Sequence, residues 1–442
     1  MLALAIAFSV GACSSSGGKS PGAATTPSTT VGHAPKGGLT ASDIGITANE
    51  IHVGVVADVD NQFLPGLFQG VVDSVKGYAN YINARGGVAG RKLVVDFYDS
   101  KLNPDEAANA MQKACEKDFA LVGTSAIFFT NLAPIAQCKD KSGAPTGMPD
   151  LANVQVSFVH MCSKTSFNYE GSLLDCTTAN DPKQTYIVTS TSGATKWAKS
   201  KIGITKGAWI QGSDIKSAIT GTNPYVAAEQ KVVPGDAFPV SAVAPQASYT
   251  PFILRLKRDK VDYVRDYSSG HTMALVLKEA ALQGYKPKMW LCTAACYDKS
   301  FLKEAGNLAE GVYVDLPYMP IEDANVPAVQ TVINAVGSDK MDGFVLPAWA
   351  NTDIFAKAIE RAAAKVGPDK LTRAAVLDAL RNFHEYGGGG IIGKTDVGGR
   401  TSSTCFVLLQ VKHGKFVRVH PNEAGKLDCH RPLERVTFNN NS

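Results

Sequence analysis

The sequence predicts an α/β protein of two parallel-sheet lobes, on three observations. Short β-rich runs alternate with amphipathic stretches at helical spacing from about residue 50 to 122, and that alternation implies a parallel sheet with right-handed crossovers. The same alternation restarts near residue 207 and continues to about 291; two blocks of this size read as two lobes. The helical stretches after residue 326 have no adjacent strands of their own, so the chain crosses between lobes more than once.

Each segment carries its own reason. Residues 1–10, MLALAIAFSV, are apolar and uncharged. They fall short of the roughly 20 apolar residues that span a bilayer and fit the hydrophobic region of a secretory signal. The run ends in Val10-Gly-Ala-Cys13, which resembles the lipobox of bacterial lipoproteins and implies a lipid on Cys13. No Lys or Arg precedes it, so the natural start is expected upstream of Met1. From residue 14 to 39, 21 of 26 residues are Ser, Gly, Pro, Ala or Thr, a composition that makes a mobile linker.

In the body, Ile51-His-Val-Gly-Val-Val-Ala57 reads as a strand. Val71, Val72, Val75, Tyr78, Ala79 and Ile82 follow at helical spacing and stop at Arg85-Gly86-Gly87. Residues 92–98 form a second strand, and Asn103-Pro104-Asp105-Glu106 opens a helix with Asn103 as its cap. Residues 120–122 are a third strand. Further on, strands are predicted at 207–210, 261–265 and 288–291, with helices from 214, at 249–258, 273–283, 326–336, 352–366 and 371–382. Residues 406–411 and 415–419 form a hairpin turned at His413-Gly414.

Composition narrows the function. Of 442 residues, 45% are hydrophobic and 19% charged, with a net charge of +4. This is too apolar for a disordered chain and lacks the concentrated basic face of a nucleic-acid binder. There are nine cysteines. With Cys13 set aside, eight remain; they allow 105 pairings but fall into four local couples, predicted as disulfides in an oxidising compartment. The couples are Cys115 with Cys138, Cys162 with Cys176, Cys292 with Cys296, and Cys405 with Cys429. Zinc is not predicted, because Cys292-Thr-Ala-Ala-Cys296 has no second pair at useful spacing. Residues 388–395 match G-x-x-x-x-G-K-[ST] literally, yet a phosphate loop must join a strand to a helix, and a helix precedes it here. Gly123-Thr-Ser125-Ala-Ile127 lacks the final Gly of a nucleophile elbow, and His384-Glu385 continues as Tyr-Gly-Gly, unlike a zinc-protease helix.

Several motifs occur together in order. Ile51-His-Val-Gly-Val-Val and Tyr81-Ile-Asn-Ala-Arg-Gly-Gly-Val-Ala-Gly-Arg-Lys-Leu93 come first. Asp99-Ser-Lys-Leu-Asn-Pro-Asp105, Leu121-Val-Gly-Thr-Ser125 and Ser248-Tyr-Thr-Pro-Phe-Ile-Leu-Arg-Leu-Lys257 follow, and then Val261-Asp-Tyr-Val-Arg-Asp266, Ala280-Ala-Leu-Gln-Gly284 and Glu310-Gly-Val-Tyr313. This series resembles the type 1 periplasmic binding proteins, in particular the leucine/isoleucine/valine-binding receptors of ABC transporters. The resemblance implies two Rossmann-like lobes joined by three crossovers, with a solute held between them. It assigns residues 49–178 and 318–390 to lobe 1, and 179–317 and 391–430 to lobe 2. Residues 1–13 are then signal and lipobox, 14–48 linker and 431–442 tail.

By the same resemblance, Thr124, Ser125 and Ala126 hold a ligand carboxylate and Thr146 lies near its polar head. Asp266, Tyr267 and Ser268 are second-lobe contacts, and Phe63, Phe128 and Trp349 point into the cleft. One departure matters: the family's second-lobe carboxylate is missing from Cys292-Thr-Ala-Ala-Cys296, so Asp266 substitutes for it or the ligand lacks an amine. The expectation is a non-enzymatic, monomeric solute receptor at the outer face of the cytoplasmic membrane, anchored by a lipid on Cys13. It would deliver a small amino-acid-like, amide or carboxylate metabolite to an ABC permease, without cofactor, metal or nucleic acid. The alternatives are a ligand sensor for a signalling partner and a secreted hydrolase on the same scaffold.

Overall fold

The computed structural model describes residues 38–62, 64–171, 176–177, 183–188, 190–214, 216–430 and 434–439. The first block of the chain runs β1 (Glu50–Ala57), α1 (Gln69–Asn83), β2 (Lys92–Asp99), α2 (Pro104–Lys117) and β3 (Ala120–Thr124). It continues through α3 (Ala133–Ala136), β4 (Asp150–Ala152), α4 (Phe158–Met161) and β5 (Ser166–Phe167). These five strands form one parallel sheet in the order β2-β1-β3-β4-β5. β1 is buried without interruption from Val53 to Ala57, as expected of a central strand covered on both faces. α1 buries the stripe Val71, Val72, Val75, Tyr78 and Ala79. The chain leaves it through Gly86 and Gly87, both at positive φ; a Cβ on Gly87 would lie 1.9 Å from the Arg91 carbonyl oxygen. Asn103 caps α2 as predicted, accepting from the Asp105 and Glu106 N–H groups at 2.9 and 3.1 Å.

The second block runs β6 (Lys183–Val188), α5 (Ser190–Lys201), β7 (Gly207–Gly212), α6 (Lys216–Gln230), β8 (Gly235–Val240), α7 (Thr250–Arg258) and β9 (Tyr263–Asp266). It ends with α8 (Gly270–Leu282), β10 (Met289–Cys292), α9 (Lys299–Ala305) and β11 (Tyr313–Leu316). After it come α10 (Pro327–Val336), α11 (Val345–Val366), α12 (Arg373–Arg381), β12 (Val407–Lys412), β13 (Lys415–His420) and β14 (Glu434–Asn439). The second sheet has the order β13-β12-β11-β10-β9-β7-β8. β7 to β11 are parallel, and the β12–β13 hairpin adds antiparallel at one edge. Its turn at His413 and Gly414 takes positive φ at both residues.

α10 and α11 pack against α1, and α11 against β3, so the late helices belong to the first sheet. The chain therefore passes between lobes three times: after β5, after β11 and after α12. The last two passages touch, with Tyr318 bridged to Ile392 and the Met319 N–H donating to the Ile391 carbonyl at 2.6 Å.

Four findings refine the sequence reading. The body begins before Asn49, inside the segment expected as linker. Asp43 is buried, and its carboxylate accepts from the N–H groups of Ile44, Lys141 and Arg373. Arg91 donates to the carbonyls of Thr40, Thr47 and Pro368 at 2.8–2.9 Å. The segment expected as a tail supplies β14, which pairs antiparallel with β6 in a separate ribbon against α6. The four disulfides join the predicted couples. The phosphate-loop match holds a 3-10 turn at Gly388–Gly390 and isolated bridges from Ile392 to Tyr318 and from Thr395 to Tyr386, and among the described residues no helix follows it. Among the described residues no helix is long and apolar enough to cross a membrane.

Candidate functional site

A cavity of about 560 Å³ lies between the carboxyl ends of the two sheets, where open parallel sheets bind their ligands. Its volume falls within the range of small-molecule sites. Lobe 1 contributes Leu67, Phe68 and Phe128, the passage after β5 contributes Tyr169 and Glu170, and lobe 2 contributes Tyr225, Tyr267 and Ser268. Tyr318 and Phe344, at the return to lobe 1, complete an aromatic wall. Tyr225 stacks on Tyr267 with centroids 5.8 Å apart and planes at 20°.

The floor on the lobe 2 side is an ionic cluster. Arg265, at 1% exposure, donates to Asp315 at 2.7 Å and lies 3.2 Å from Glu229. Glu229 also accepts from Trp209 Nε1 at 2.6 Å, Tyr263 at 3.0 Å and the Tyr267 hydroxyl. The guanidinium lies over the Tyr267 ring at 4.6 Å. A charge this deep needs such partners, and Arg265 has two carboxylates. Burial and then the neighbouring acids act in opposite directions on its pKa, and the acids prevail to hold it raised.

Lobe 1 fills its own strand-end anion seat. The Asp58 carboxylate, fully buried, accepts from the N–H groups of Leu102 and Ile127, both at 2.8 Å, and from the Ser100 hydroxyl at 2.6 Å. Asp99 does the same for the N–H groups of Val59, Asp60 and Lys101. Donors that would otherwise face a ligand carboxylate are thus engaged by side chains of the chain itself.

Of the residues expected at the site, Phe128, Tyr267 and Ser268 line the cavity. Thr124, Ser125, Ala126, Thr146, Asp266 and Trp349 are not part of its wall. Thr124 donates to Asp150 at 2.6 Å and Ser125 to the Gly123 carbonyl at 3.1 Å. Ala126 is core, packed in the cluster of Phe129 and Leu132. Thr146 donates to Asp140 at 2.6 Å in the turn after the Cys138 loop. Asp266 is fully buried, accepts from the Ser268 N–H at 2.6 Å, and is pushed up to about 7 by burial. Trp349 packs on Tyr78 and Tyr81, at 4.8 and 5.3 Å between centroids. Phe63 lies outside the described residues.

Sequence reasoning missed Glu170, Tyr225, Arg265 and Tyr318. Glu170 lies in the 148–181 stretch, where none of the family motifs falls, and that gap was its one available signal. Residues 153–156 and 168–171 of the same stretch reach the cavity wall. Among the described residues one group has the donor set for an ion: His52, Asp96 and Asp118, with ligand atoms within 4.8 Å of one another. It sits toward the amino ends of β1 and β3, away from the cavity, and His52 already bonds Asp96 at 3.0 Å and Glu50 at 3.3 Å.

Two lobes with one aromatic cavity between their strand ends and three connecting passages define a hinged small-molecule binder. The chain belongs to the periplasmic binding protein family: that family model matches residues 50–415. A comparison with curated proteins finds no significant match. Solved structures similar in fold include a fatty acid ABC transporter substrate-binding protein from Thermomonospora curvata. It is 19% identical with TM-score 0.68, covering 87% of this chain and 95% of that one. A branched-chain amino acid ABC transporter protein from Thermus thermophilus with bound valine is 15% identical with TM-score 0.65, covering 84% and 95%. The leucine-binding protein LivK from Thermotoga maritima is 15% identical with TM-score 0.63, covering 84% and 97%.

Proposed function

We propose that this chain is an extracytoplasmic solute receptor of an ABC transporter. It works as a monomer, held at the outer face of the cytoplasmic membrane by a lipid on Cys13. The observation that carries the reading is the cavity itself, walled by both lobes and by the passages between them. A solute that touches both walls stabilises the closed arrangement over the open one by its differential affinity, and hinge closure around a ligand is the family's known motion. The closed form is what a permease would recognise. The fold neighbours named for fatty acid, leucine and valine binding support a small amphipathic metabolite. Amino-acid-like, amide and carboxylate solutes are the classes to test.

A thermal-shift screen over those classes checks the reading. A ligand at roughly a hundred times its Kd adds about 2.7 kcal/mol of stability, a readily visible shift. Silence across a broad panel of small amphipathic solutes would sink the receptor reading. The anchor is checked separately: a Cys13→Ser chain should appear in the soluble fraction, and retention of that variant in the membrane would remove the lipid assignment.

A further inference from the structure

Glu170 stands apart from the other charges of the cavity. Among the described residues the wall carries three acids, Glu170, Asp214 and Asp315, and one base, Arg265. Arg265 is bracketed by Asp315 and Glu229. Asp214 accepts from the Ser241 hydroxyl and the Ala242 N–H. Glu170 receives only the Tyr169 hydroxyl, at 3.1 Å; no cation and no backbone N–H meets its carboxylate among the described residues. Burial and then the nearby Asp315 charge raise its pKa, against the lowering by Tyr169. The same cavity wall carries Tyr169, Tyr225 and Tyr318, whose pKa values are raised, first by burial and in part by Glu170.

A half-buried carboxylate on a cavity wall, with one neutral donor and no cation among the described residues, is an unfinished ion pair. Aromatic faces around such a carboxylate attract a cation through their quadrupoles, as in ammonium-binding cages. On the opposite wall, among the described residues, Asp58 and Asp99 already engage the N–H groups of Val59, Asp60, Lys101, Leu102 and Ile127, which are thereby closed to an anion. The Arg265 guanidinium is covered by the Tyr267 ring and two carboxylates.

We infer that the solute is an amphipathic organic cation, an amine or alkylated ammonium on an apolar body, with its charged head seated on Glu170 among Tyr169, Tyr225 and Tyr318. This rests on the receptor reading and narrows it: of the amino-acid-like, amide and carboxylate classes, only the ammonium group of the first is kept. The ligand's carboxylate, central to the expectation from Thr124 and Ser125, has no seat.

The test uses the complete chain and matched probes that share a body. One series is phenethylamine, its trimethylammonium derivative, 3-phenylpropionamide, 3-phenylpropionate and phenylalanine; an isopentyl series with leucine as its amino acid runs beside it. Calorimetric Kd values should place an ammonium member at least about tenfold below the carboxylate and the free amino acid. Glu170→Gln keeps the side-chain size and the Tyr169 bond; it should weaken the ammonium probe by about tenfold and the amide by less than about threefold. Tyr225→Leu should also weaken the ammonium probe more than the amide. A carboxylate, amide or amino acid that outranks the ammonium probe, or an unchanged ammonium Kd in Glu170→Gln, overturns the inference while the receptor reading survives. If no member of either series binds, both fall.

Discussion

Asp58 and Asp266 are two buried aspartates at matching strand ends of the two lobes, with opposite consequences for stability. Asp58 receives three donors; Asp266 receives the Ser268 N–H, and its second oxygen has no partner among the described residues. Removing the Asp58 carboxylate leaves two N–H groups and a hydroxyl without an acceptor beside the cavity, at about 1 kcal/mol or more each. Asp58→Ala should therefore lower unfolding stability by about 3 kcal/mol, measured by urea titration. Asp266→Asn should be neutral or stabilising near pH 8, because there the carboxyl is ionised in the folded protein against the cost of burial, and the amide removes that charge. A loss above about 1 kcal/mol in Asp266→Asn would mean that the ionised carboxylate has a second partner besides the Ser268 N–H.

At the scale of elements, two arginines and a cap hold segments that periodicity does not. The Arg373 guanidinium, at the start of α12, donates to the carbonyls of Cys115, Asp118, Phe119 and Lys139, tying α12 to the α2–β3 turn and the disulfide loop. Arg373→Leu strands these buried acceptors and should cost above about 3 kcal/mol in chemical denaturation. Asn103→Ala, which removes only the α2 cap, should cost about 1 kcal/mol. What the sequence made legible follows the same division. The Asn103 cap, the α1 stripe, the β12–β13 hairpin and the disulfide couples are local patterns, each readable within some twenty-five residues. The Thr40–Thr47 strap, the pairing of β14 with β6 and the Glu170 site are not local. Asp43 meets Arg373 across 330 positions, and no periodicity encodes such a contact. The strand-end Thr124 and Ser125 were placed at the site by analogy; Asp150 and Gly123 turn their hydroxyls inward, which only the packed structure reveals.

Across the whole molecule, buried acids set the pH response. Burial pushes Asp118, Asp266 and Asp342 each up to about 7, whereas such groups titrate near about 4 in an unfolded chain. Between those values the folded state holds protons that the unfolded state has released, so stability falls as pH rises from about 4 to 7. His52 acts in the same direction: burial lowers its pKa, but its bonds to Asp96 and Glu50 outweigh that and raise it, so its contribution is lost as pH climbs through the folded value. Carboxyls with lowered pKa, such as Asp140 at about 2, act below this window. The melting temperature should therefore be higher near about pH 5 than near about pH 7.5, and Asp266→Asn should flatten the slope; a melting temperature that rises over this interval would contradict the assignment of these three groups. The strap has a mechanical consequence of its own. Thr40 and Thr47 are fastened by Arg91, and Gly45 lies against Phe119, all beside the amino ends of β1 to β3, at the far end of lobe 1 from the cavity mouth. A tension applied through the upstream chain is thus taken by lobe 1 alone. Lobe 2 can swing about the three passages without disturbing that fastening, which lies at the opposite end of lobe 1 from the cavity mouth.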